Sequence, residues 1–188
     1  MIFKEIIKNL NFDAIIETGT YRGTTTEYFS HQAGLPLYSC ELEVESFWYS
    51  YIRLFGHRNV KLCRMDSRRF LENLCRTVPA IARPFCYLDA HWNIDLPLWD
   101  EVNVIWKRWP NAVIMIDDFA VPGDAGYSFD EYGPGKSLTI ADLRANVAGD
   151  YRAYFPKAPS ENETGLRRGL VVLANSESNF ITLDKAKN

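Results

Sequence analysis

Residues 15–29 read IIETGTYRGTTTEYF. The segment begins with a β-branched apolar run, continues with two glycines four residues apart and ends in residues that look helical. A strand, a glycine turn and a helix in this order often hold a ligand against the backbone, because a turn without Cβ atoms leaves its amides approachable. The spacing of Gly19 and Gly23 is G-x-x-x-G, whereas a dinucleotide fingerprint requires G-x-G-x-x-G. Tyr21 takes the place of the middle glycine, so NAD and FAD fit this turn poorly.

Short apolar runs alternate with longer amphipathic stretches on both sides of this motif. Such alternation predicts an α/β fold, in which helices cover both faces of a parallel sheet. The predicted strands are residues 14–17, 37–41, 60–65, 85–88 and 113–116, and the predicted helices are residues 24–31, 44–55, 67–76 and 96–109.

The alternation changes after the fifth predicted strand. Residues 120–137 contain four glycines and two prolines, a composition typical of a surface loop. A predicted helix at about 138–148 then leads to two apolar segments, 151–155 and 169–174, with no helix between them. These two segments predict an antiparallel hairpin, which completes a seven-stranded, mostly parallel sheet.

The length of 188 residues predicts one domain that spans residues 1–188. Residues 1–11 place Phe3 and Ile6 at helical spacing and interrupt the apolar positions with Lys4, Glu5 and Lys8. This segment predicts an amphipathic N-terminal helix and not a signal peptide. No apolar run is long enough to predict a membrane span.

Charge and cysteine content narrow the partners and the compartment. The net charge is −3, and the basic residues are scattered except for two arginine doublets at 68–69 and 167–168, which we expect to face solvent. Nucleic acid is therefore not an expected partner. The four cysteines form no C-x-x-C pair and mostly lie in strand-like runs, which indicates reduced, buried thiols and a cytoplasmic protein.

Four features together resemble the class I S-adenosylmethionine-dependent methyltransferases. They are E-T-G-T-Y-x-G at 17–23, Glu41 at the end of the second predicted strand, Asp66-Ser67 after the third, and the closing strand RRGLVVLA at 167–174. The resemblance covers nearly the whole chain. It implies a Rossmann-like three-layer sandwich, S-adenosylmethionine as cofactor and a transferase activity.

The resemblance also assigns roles to single residues. Glu17 would accept from the ammonium group of the cofactor, Glu41 would accept from both ribose hydroxyls, and Asp66 with Ser67 would bracket the adenine. Gly19, Thr20 and Gly23 would form the turn beneath the cofactor. Taken alone, Glu41 and Asp66 are better explained as acids that cap the helices that follow them. Their common position at the carboxyl ends of successive strands favours a ligand site.

Three aspartates form a second group of candidate functional residues. Asp89 follows the fourth predicted strand, and Asp117 and Asp118 follow the fifth, so we expect all three at one edge of the sheet. Crowded carboxylates repel each other unless they share a cation, and oxygen ligands suit Mg²⁺, Mn²⁺ or Ca²⁺. Neighbouring residues on a regular strand face opposite ways, so both Asp117 and Asp118 can bind a metal only if the backbone turns there. Alternatively, Asp118 caps local amides and Asp117 pairs with a base.

The motifs L-D-x-x-W at 88–92 and I-D-D-F at 116–119 are similar to those of the metal-dependent O-methyltransferases of the catechol and macrocin types. This resemblance implies that Asp89, Asp117 and Asp118 bind a divalent cation, and Asp89 also borders the cofactor. The catechol enzymes have a lysine base shortly after the first ligand, where this chain has His91, Trp92 and Asn93. We therefore expect His91 to act as the general base, with Asp89 as the second catalytic residue. The alternative for His91 is to orient one of the aspartates.

The loop at 120–137 starts directly after the proposed ligands, so its aromatic residues either close over an acceptor or belong to an ordinary surface loop. Tryptophans 92, 99, 106 and 109 recur at helical intervals, which is typical of core or subunit packing and leaves a homodimer open. The leading hypothesis is metal-dependent O-methylation of a small saccharide, phenol or secondary metabolite. The alternatives are a metal-independent methyltransferase, a related enzyme of the type named hydroxylases, and a binding module without catalysis.

Overall fold

The computed structural model of the protein describes residues 2–91, 95–175 and 180–186. In these residues eight strands form one sheet, in the order β3-β2-β1-β4-β5-β7-β6-β8. The strands are β1 (Ala14–Thr18), β2 (Leu37–Glu41), β3 (Val60–Arg64), β4 (Pro84–Leu88), β5 (Val113–Asp117), β6 (Arg152–Pro156), β7 (Leu170–Ala174) and β8 (Leu183–Lys185).

The first five strands are parallel, and the last three are antiparallel to their neighbours. The predicted α/β sheet with its antiparallel hairpin of β6 and β7 is confirmed. The predicted number of seven strands is wrong, because residues 183–185 add an eighth strand beside β6. This strand has three residues, of which Leu183 alone is buried, so it has too little apolar pattern to be recognised.

Six α-helices accompany the sheet in the described part of the chain. They are α1 (Ile2–Asn9), α2 (Thr24–Ala33), α3 (Val44–Arg53), α4 (Ser67–Thr77), α5 (Leu98–Arg108) and α6 (Ile140–Asn146). Each helix bound lies within two residues of the sequence prediction. The helix starts have local causes, since Asp66 accepts from two amides at the start of α4 and Thr139 accepts from Asp142 N at the start of α6.

The core lies on both faces of the sheet. Ile15 and Ile16 are both fully buried but belong to different clusters, because successive side chains of β1 point to opposite faces. One cluster packs the sheet against α4, α5 and α6, and the other packs it against α1 and α2. Burial on both faces explains why the central strands read as continuous apolar runs.

Several expectations about side chains are also decided. All four cysteines are free, and Cys40 and Cys86 are buried. Trp109 is fully buried, and Trp99 and Trp106 are half-buried against the core, whereas Trp92 and Asn93 lie outside the described residues. None of the described helices combines the length and apolar character that crossing a membrane requires.

Candidate functional site

A crevice is expected where β1 lies between β2 and β4. The chain leaves β1 through α2 to β2 on one side, and returns from β3 through α4 to β4 on the other side. Open α/β sheets bind ligands at the carboxyl ends of the strands beside such a switch in strand order. The predicted site residues at the ends of β1, β2, β4 and β5 all lie along this edge.

Backbone angles and close contacts within the protein determine the conformation of the glycine turn at the end of β1. Gly19 and Gly23 have φ values of 84° and 73°, which favour glycine, and Tyr21 shares this left-handed region with φ 48°. A Cβ at Gly19 would collide with the carbonyl oxygen of Asp89, and a Cβ at Gly23 would lie 3.2 Å from the side chains of Ser50 and Leu54. Packing therefore requires glycine at position 19, and the positive φ favours glycine at position 23, whether or not a ligand is bound.

Glu17 is 0% exposed beneath this turn, so its carboxyl group is not open to the direct contact with the cofactor's ammonium group that the resemblance implied. Its Oε2 accepts from Thr26 at 2.5 Å and from Ser39 at 2.6 Å. Because Ser39 gives its proton to Glu17, the Thr20 hydroxyl must be the donor in its 2.5 Å contact with Ser39. Burial raises the pKa of Glu17 to about 7. A relay of hydroxyl groups thus joins the turn at Thr20 to a buried carboxyl group.

Glu41 is fixed next to the same turn. One carboxylate oxygen accepts from the backbone amide of Tyr21 at 2.6 Å, and the other accepts from the amide of Glu43 at 2.8 Å. Each oxygen keeps a further lone pair, so the carboxylate can accept from two more donors. The structure therefore satisfies the backbone in front of α3 and still leaves an acceptor pair in the crevice.

Asp66 and Ser67 have partners within the protein. Asp66 accepts from the amides of Arg68 and Arg69 at 3.1 and 3.3 Å, which is the helix-capping role considered above as the alternative. Ser67 is buried, and its side chain is hydrogen-bonded to Glu101 of α5. The Asp66 side chain is 32% exposed, so a ligand at this edge can still reach it.

The three aspartates occupy neighbouring positions at the ends of β4 and β5. Asp118 has φ 54°, so the backbone makes the turn that two adjacent metal ligands require. Ligand atoms of Asp89, His91 and Asp118 all lie within 4.8 Å of one another. Asp117 lies outside this group, and its Oδ2 accepts from the Tyr87 hydroxyl at 2.6 Å.

The electrostatics of this cluster favour a bound cation. Burial, followed by repulsion from Asp117 and Asp118, raises the pKa of Asp89 well above its usual value, and burial likewise raises the pKa of Asp117. His91 is 4% exposed, and its burial lowers the pKa of the imidazole. Among the described residues His91 Nε2 has no hydrogen-bond partner, although it lies 3.8 Å from Asp89 and 4.0 Å from Asp118. A divalent cation would fit the carboxylates of Asp89 and Asp118, with His91 Nε2 beside them.

Arg168 is a site residue that the sequence reasoning missed. Its guanidinium is ion-paired with both Asp118 and Asp130, so the prediction that both arginines of the second doublet face solvent is wrong for Arg168. Residue Leu170 of β7 pairs with Asp117 of β5, which places the preceding residues beside Asp118. The antiparallel pairing of β7 with β5 thus brings Arg168 to Asp118 across 50 residues of sequence.

The loop at 120–137 folds back over the acidic cluster. Asp130 donates its amide to the carbonyl of Asp118 at 3.0 Å, and the Tyr132 hydroxyl bonds to the carbonyl of His91 at 2.9 Å and to Asp130 at 2.7 Å. Tyr127 points away, since it is buried and its hydroxyl bonds to the carbonyl of Ala158. Phe129 is 40% exposed and is thus the aromatic ring of this loop that is best placed to contact a solute.

Comparison with known proteins gives matches in structure. No protein-family model matches the sequence, and neither does any curated protein. The O-methyltransferase TomG from Streptomyces achromogenes, solved in complex with S-adenosylmethionine, has a TM-score of 0.62 and 16% identity over 93% of this chain and 78% of its own. An O-methyltransferase from Bacillus cereus, in complex with S-adenosylhomocysteine, has a TM-score of 0.62 and 14% identity over 92% and 79%.

A third similar structure is EvdMO1. Its N-terminal domain, solved in the presence of S-adenosylhomocysteine and D-fucose, has a TM-score of 0.58 and 17% identity over 94% of this chain and 80% of that domain. The present chain spans 38% of the full EvdMO1 chain. At identities of 14–17% the structural similarity shows a shared fold alone, and two of these three structures are named O-methyltransferases. The described residues therefore adopt the fold of the class I S-adenosylmethionine-dependent methyltransferases.

Proposed function

We propose that the protein is an S-adenosylmethionine-dependent methyltransferase that methylates an oxygen atom of a small hydroxylated molecule. The observation that carries the proposal is the common edge of the sheet, where the fixed carboxylate of Glu41 lies beside the glycine turn and the Asp89, His91 and Asp118 cluster lies one strand beyond. The reaction needs a group that binds the nucleoside part of the cofactor and a group that accepts the proton of the methylated hydroxyl. Glu41 and the cluster supply these two groups. The O-methyltransferases of similar fold support the reaction type.

Each residue has a proposed part in the reaction. Glu41 accepts from the ribose hydroxyls, Thr20 and Glu17 hold the turn beneath the methionine part, and Asp66 with Ser67 borders the adenine. The donor is already activated, so the protein mainly aligns the acceptor oxygen with the methyl carbon and the sulfur. His91 Nε2 takes the proton of the acceptor, because burial keeps the imidazole neutral and this nitrogen has no partner in the described structure.

We also propose that Asp89, Asp117 and Asp118 hold a divalent cation, with Mg²⁺ favoured by their oxygen atoms. When bound, such an ion would lower the pKa of the acceptor hydroxyl as a Lewis acid. The raised pKa of Asp89 supports this assignment, because a nearby cation would relieve the repulsion that raises it. Tyr87 engages one oxygen of Asp117 and leaves the other available.

A saccharide or a phenol is the proposed class of acceptor. The EvdMO1 domain was crystallised with D-fucose, and the exposed ring of Phe129 on the loop over the cluster suits the apolar face of a sugar or an aromatic ring. The net charge of −3 supports a small acceptor over a nucleic acid.

Metal-independent methyl transfer is the second candidate function, and the position of Arg168 favours it. The guanidinium already pairs with Asp118 and Asp130, so a protein cation supplies part of the charge that a metal would supply. In this case the aspartates and Arg168 form a structural network, and His91 alone serves the acceptor.

Calorimetry and turnover together separate these functions. In calorimetry we expect S-adenosylhomocysteine to bind with or without chelator. In a screen of sugars and phenols we expect methylation of an acceptor, measured as release of S-adenosylhomocysteine, only when a divalent cation is present. Turnover that survives exhaustive chelation would favour the metal-independent reaction. Cofactor binding without turnover of any acceptor would favour a binding module, and mass spectrometry would distinguish an added methyl group from an added oxygen. Absence of cofactor binding would overturn the proposal.

A further inference from the structure

A second group of potential metal ligands lies away from the aspartate cluster. Glu27 and His31 are four residues apart on α2, so their side chains project from the same face of the helix. His57 lies between α3 and β3 and approaches that face. Ligand atoms of these three residues all lie within 4.8 Å of one another.

A chain of hydrogen bonds fixes the tautomer of His57. The Asn59 amide nitrogen donates to the carbonyl of Leu35 at 2.9 Å, which turns the amide oxygen of Asn59 towards Ser30. The Ser30 hydroxyl gives its single proton to that oxygen at 2.8 Å. Ser30 Oγ is then an acceptor in its 2.9 Å contact with His57 Nδ1, so Nδ1 carries the proton of the neutral ring.

The remaining nitrogen of His57 therefore presents a lone pair to a carboxylate. His57 Nε2 lies 3.7 Å from Oε1 of Glu27, which is longer than a charge-assisted hydrogen bond of about 2.7–2.9 Å. These two atoms are thus neighbouring electron-pair donors, as two ligands of one metal ion are.

His31 supplies a third ligand on the same side. Its ring lies 4.8 Å from the ring of His57 in an edge-on arrangement, and its side chain is exposed and able to rotate. The other oxygen of Glu27 accepts from Arg53 at 2.8 Å, which orients the carboxylate and leaves Oε1 facing the histidines. Metal ligands in proteins usually make a further hydrogen bond that orients them. Here His57 Nδ1 donates to Ser30, and Glu27 accepts from Arg53.

We propose that Glu27, His31 and His57 form a binding site for a divalent transition metal of the Zn²⁺ class. Two imidazoles and one carboxylate are the ligands that Zn²⁺ and its neighbours prefer over Mg²⁺. Tetrahedral ligands at about 2.0–2.1 Å from the ion lie roughly 3.3 Å apart, so rotation of the exposed side chains completes the site. Water fills the fourth position, as in other sites with three protein ligands.

The proposed ion ties α2 to the segment that follows α3. Helix α2 begins at Gly23, the second glycine of the turn beneath the proposed cofactor, and Gly23 already packs against Ser50 and Leu54 of the α3 region. Metal binding would hold α2 and the α3 region together at the C-terminal end of α2 as well. We therefore expect the ion to stabilise the folded protein, because it binds the folded state selectively.

Zn²⁺ itself is the probe for this site, and His31→Gln is the principal variant. His31 is exposed and takes no part in the hydrogen bonds around Ser30, so its replacement preserves the fold. We expect Zn²⁺ to raise the melting temperature of the wild-type protein in the presence of excess Mg²⁺, and His31→Gln to weaken Zn²⁺ binding at least about 10-fold. Gln32→Ala, at the adjacent exposed position of α2, is the matched control and should bind as the wild type does.

Anomalous diffraction at the zinc edge separates this site from the aspartate cluster. We expect a peak between Glu27, His31 and His57 in wild-type crystals, and loss of that peak in His31→Gln crystals whatever is bound near Asp89. The proposal is wrong if crystals saturated with Zn²⁺ show no peak there, or if His31→Gln binds Zn²⁺ at this position with wild-type affinity. Neither readout depends on methyl transfer, so the test is independent of the proposed function.

Discussion

Gly19 is constrained both by its backbone angle and by the atoms around it. Its φ of 84° lies in the left-handed region, and a Cβ there would collide with the Asp89 carbonyl. Gly34 at the end of α2 has φ 64°, but a Cβ there would have no neighbour within 4 Å. We expect Gly34→Ala to cost about 1 kcal/mol from the backbone angle alone. Gly19→Ala should cost about 1–3 kcal/mol more from overpacking.

Urea unfolding of the two variants measures this difference in the free energy of unfolding. Equal losses would show that the backbone angle accounts for both positions and that the contact with Asp89 is unimportant. A glycine in this motif would then be explained by the turn or by a ligand.

Glu41 is the residue whose replacement should most directly weaken cofactor binding. Gln in its place keeps one acceptor oxygen but loses the charge and the second acceptor, and hydrogen bonds to a charged group contribute about 1.5–3 kcal/mol. We expect Glu41→Gln to weaken S-adenosylhomocysteine binding about 10- to 100-fold in calorimetry. Glu43→Gln, two residues away and exposed, is the control and should bind normally. Unchanged affinity of Glu41→Gln would remove Glu41 from the proposed site.

Glu101 should make stability depend on pH. It is 1% exposed on α5, and burial raises the pKa of its carboxyl group to about 7 from 4.5. Between these values the folded protein keeps a proton that the unfolded chain has released. The stability due to this proton is complete below pH 4.5 and is lost as the pH rises through 7, with a total on the order of 3 kcal/mol.

Glu101→Gln should therefore reduce the fall in unfolding free energy between pH 5 and pH 8. Glu17 has the same sign of shift and remains in the variant, so a smaller pH dependence should persist. Glu72→Gln, at an exposed position of α4, provides the comparison. If Glu101→Gln and Glu72→Gln follow the same pH dependence as the wild type, the buried carboxyl of Glu101 does not titrate in this range.

At the scale of elements, β7 determines how the charges of the aspartate cluster are balanced. Its antiparallel pairing with β5 delivers Arg168 to Asp118 and Asp130. We expect Arg168→Gln to destabilise the protein by about 1–2 kcal/mol, less than for a fully buried pair, because the side chain of Arg168 is 34% exposed. The same change should tighten Mg²⁺ binding, because it removes a positive charge beside Asp118.

Arg167→Gln is the matched control, since Arg167 is exposed and contributes its backbone carbonyl to the loop. Urea unfolding and Mg²⁺ titration of both variants measure the two effects. Weaker Mg²⁺ binding in Arg168→Gln would mean that Arg168 positions the ligands, and unchanged binding would place the ion away from Asp118.

The elements with a strong local pattern were predictable from the sequence. Strands β1, β2, β4 and β5 are buried on both faces and lie between helices, and the parallel order of the sheet brought Glu41, Asp89 and Asp117 to one edge. Contacts made across the sheet were not predictable in this way. The pairing of Arg168 with Asp118 spans 50 residues, and the position of His57 beside Glu27 depends on how α3 ends. Neither contact leaves a periodic signal in the sequence.

At the scale of the whole molecule, α3 has apolar residues on more than one face. Ser50 and Leu54 are buried towards the rest of the fold. A second stripe at positions i, i+4, i+7 and i+8 remains exposed on the monomer, in a band of about 100°, and exposed Phe55 lies in the turn that follows the helix. We call this surface the α3 stripe, and it consists of Val44, Trp48, Tyr51, Ile52 and Phe55. The subunit packing that the tryptophan pattern of α5 suggested thus has a better candidate surface on α3.

A second copy of the chain is the partner that suits the α3 stripe. The stripe and its exposed neighbours Leu42 and Tyr49 are large apolar or aromatic side chains. A stable interface buries about 800 Å² on each partner, much of it from side chains of this kind. Two-fold symmetry requires a surface that complements itself. Antiparallel pairing of two α3 helices satisfies this requirement, because each copy would present the same stripe to the other.

We therefore expect a dimer in size-exclusion chromatography with light scattering, and expect Phe55→Glu to convert it to a monomer. Phe55 is 82% exposed, so the monomer should tolerate this change without loss of fold. Leu166→Glu places the same charge at a side chain that is 89% exposed but far along the chain from the stripe, and it should remain dimeric. A wild-type protein that is monomeric at every concentration, or a Phe55→Glu variant that stays dimeric, would contradict association through α3.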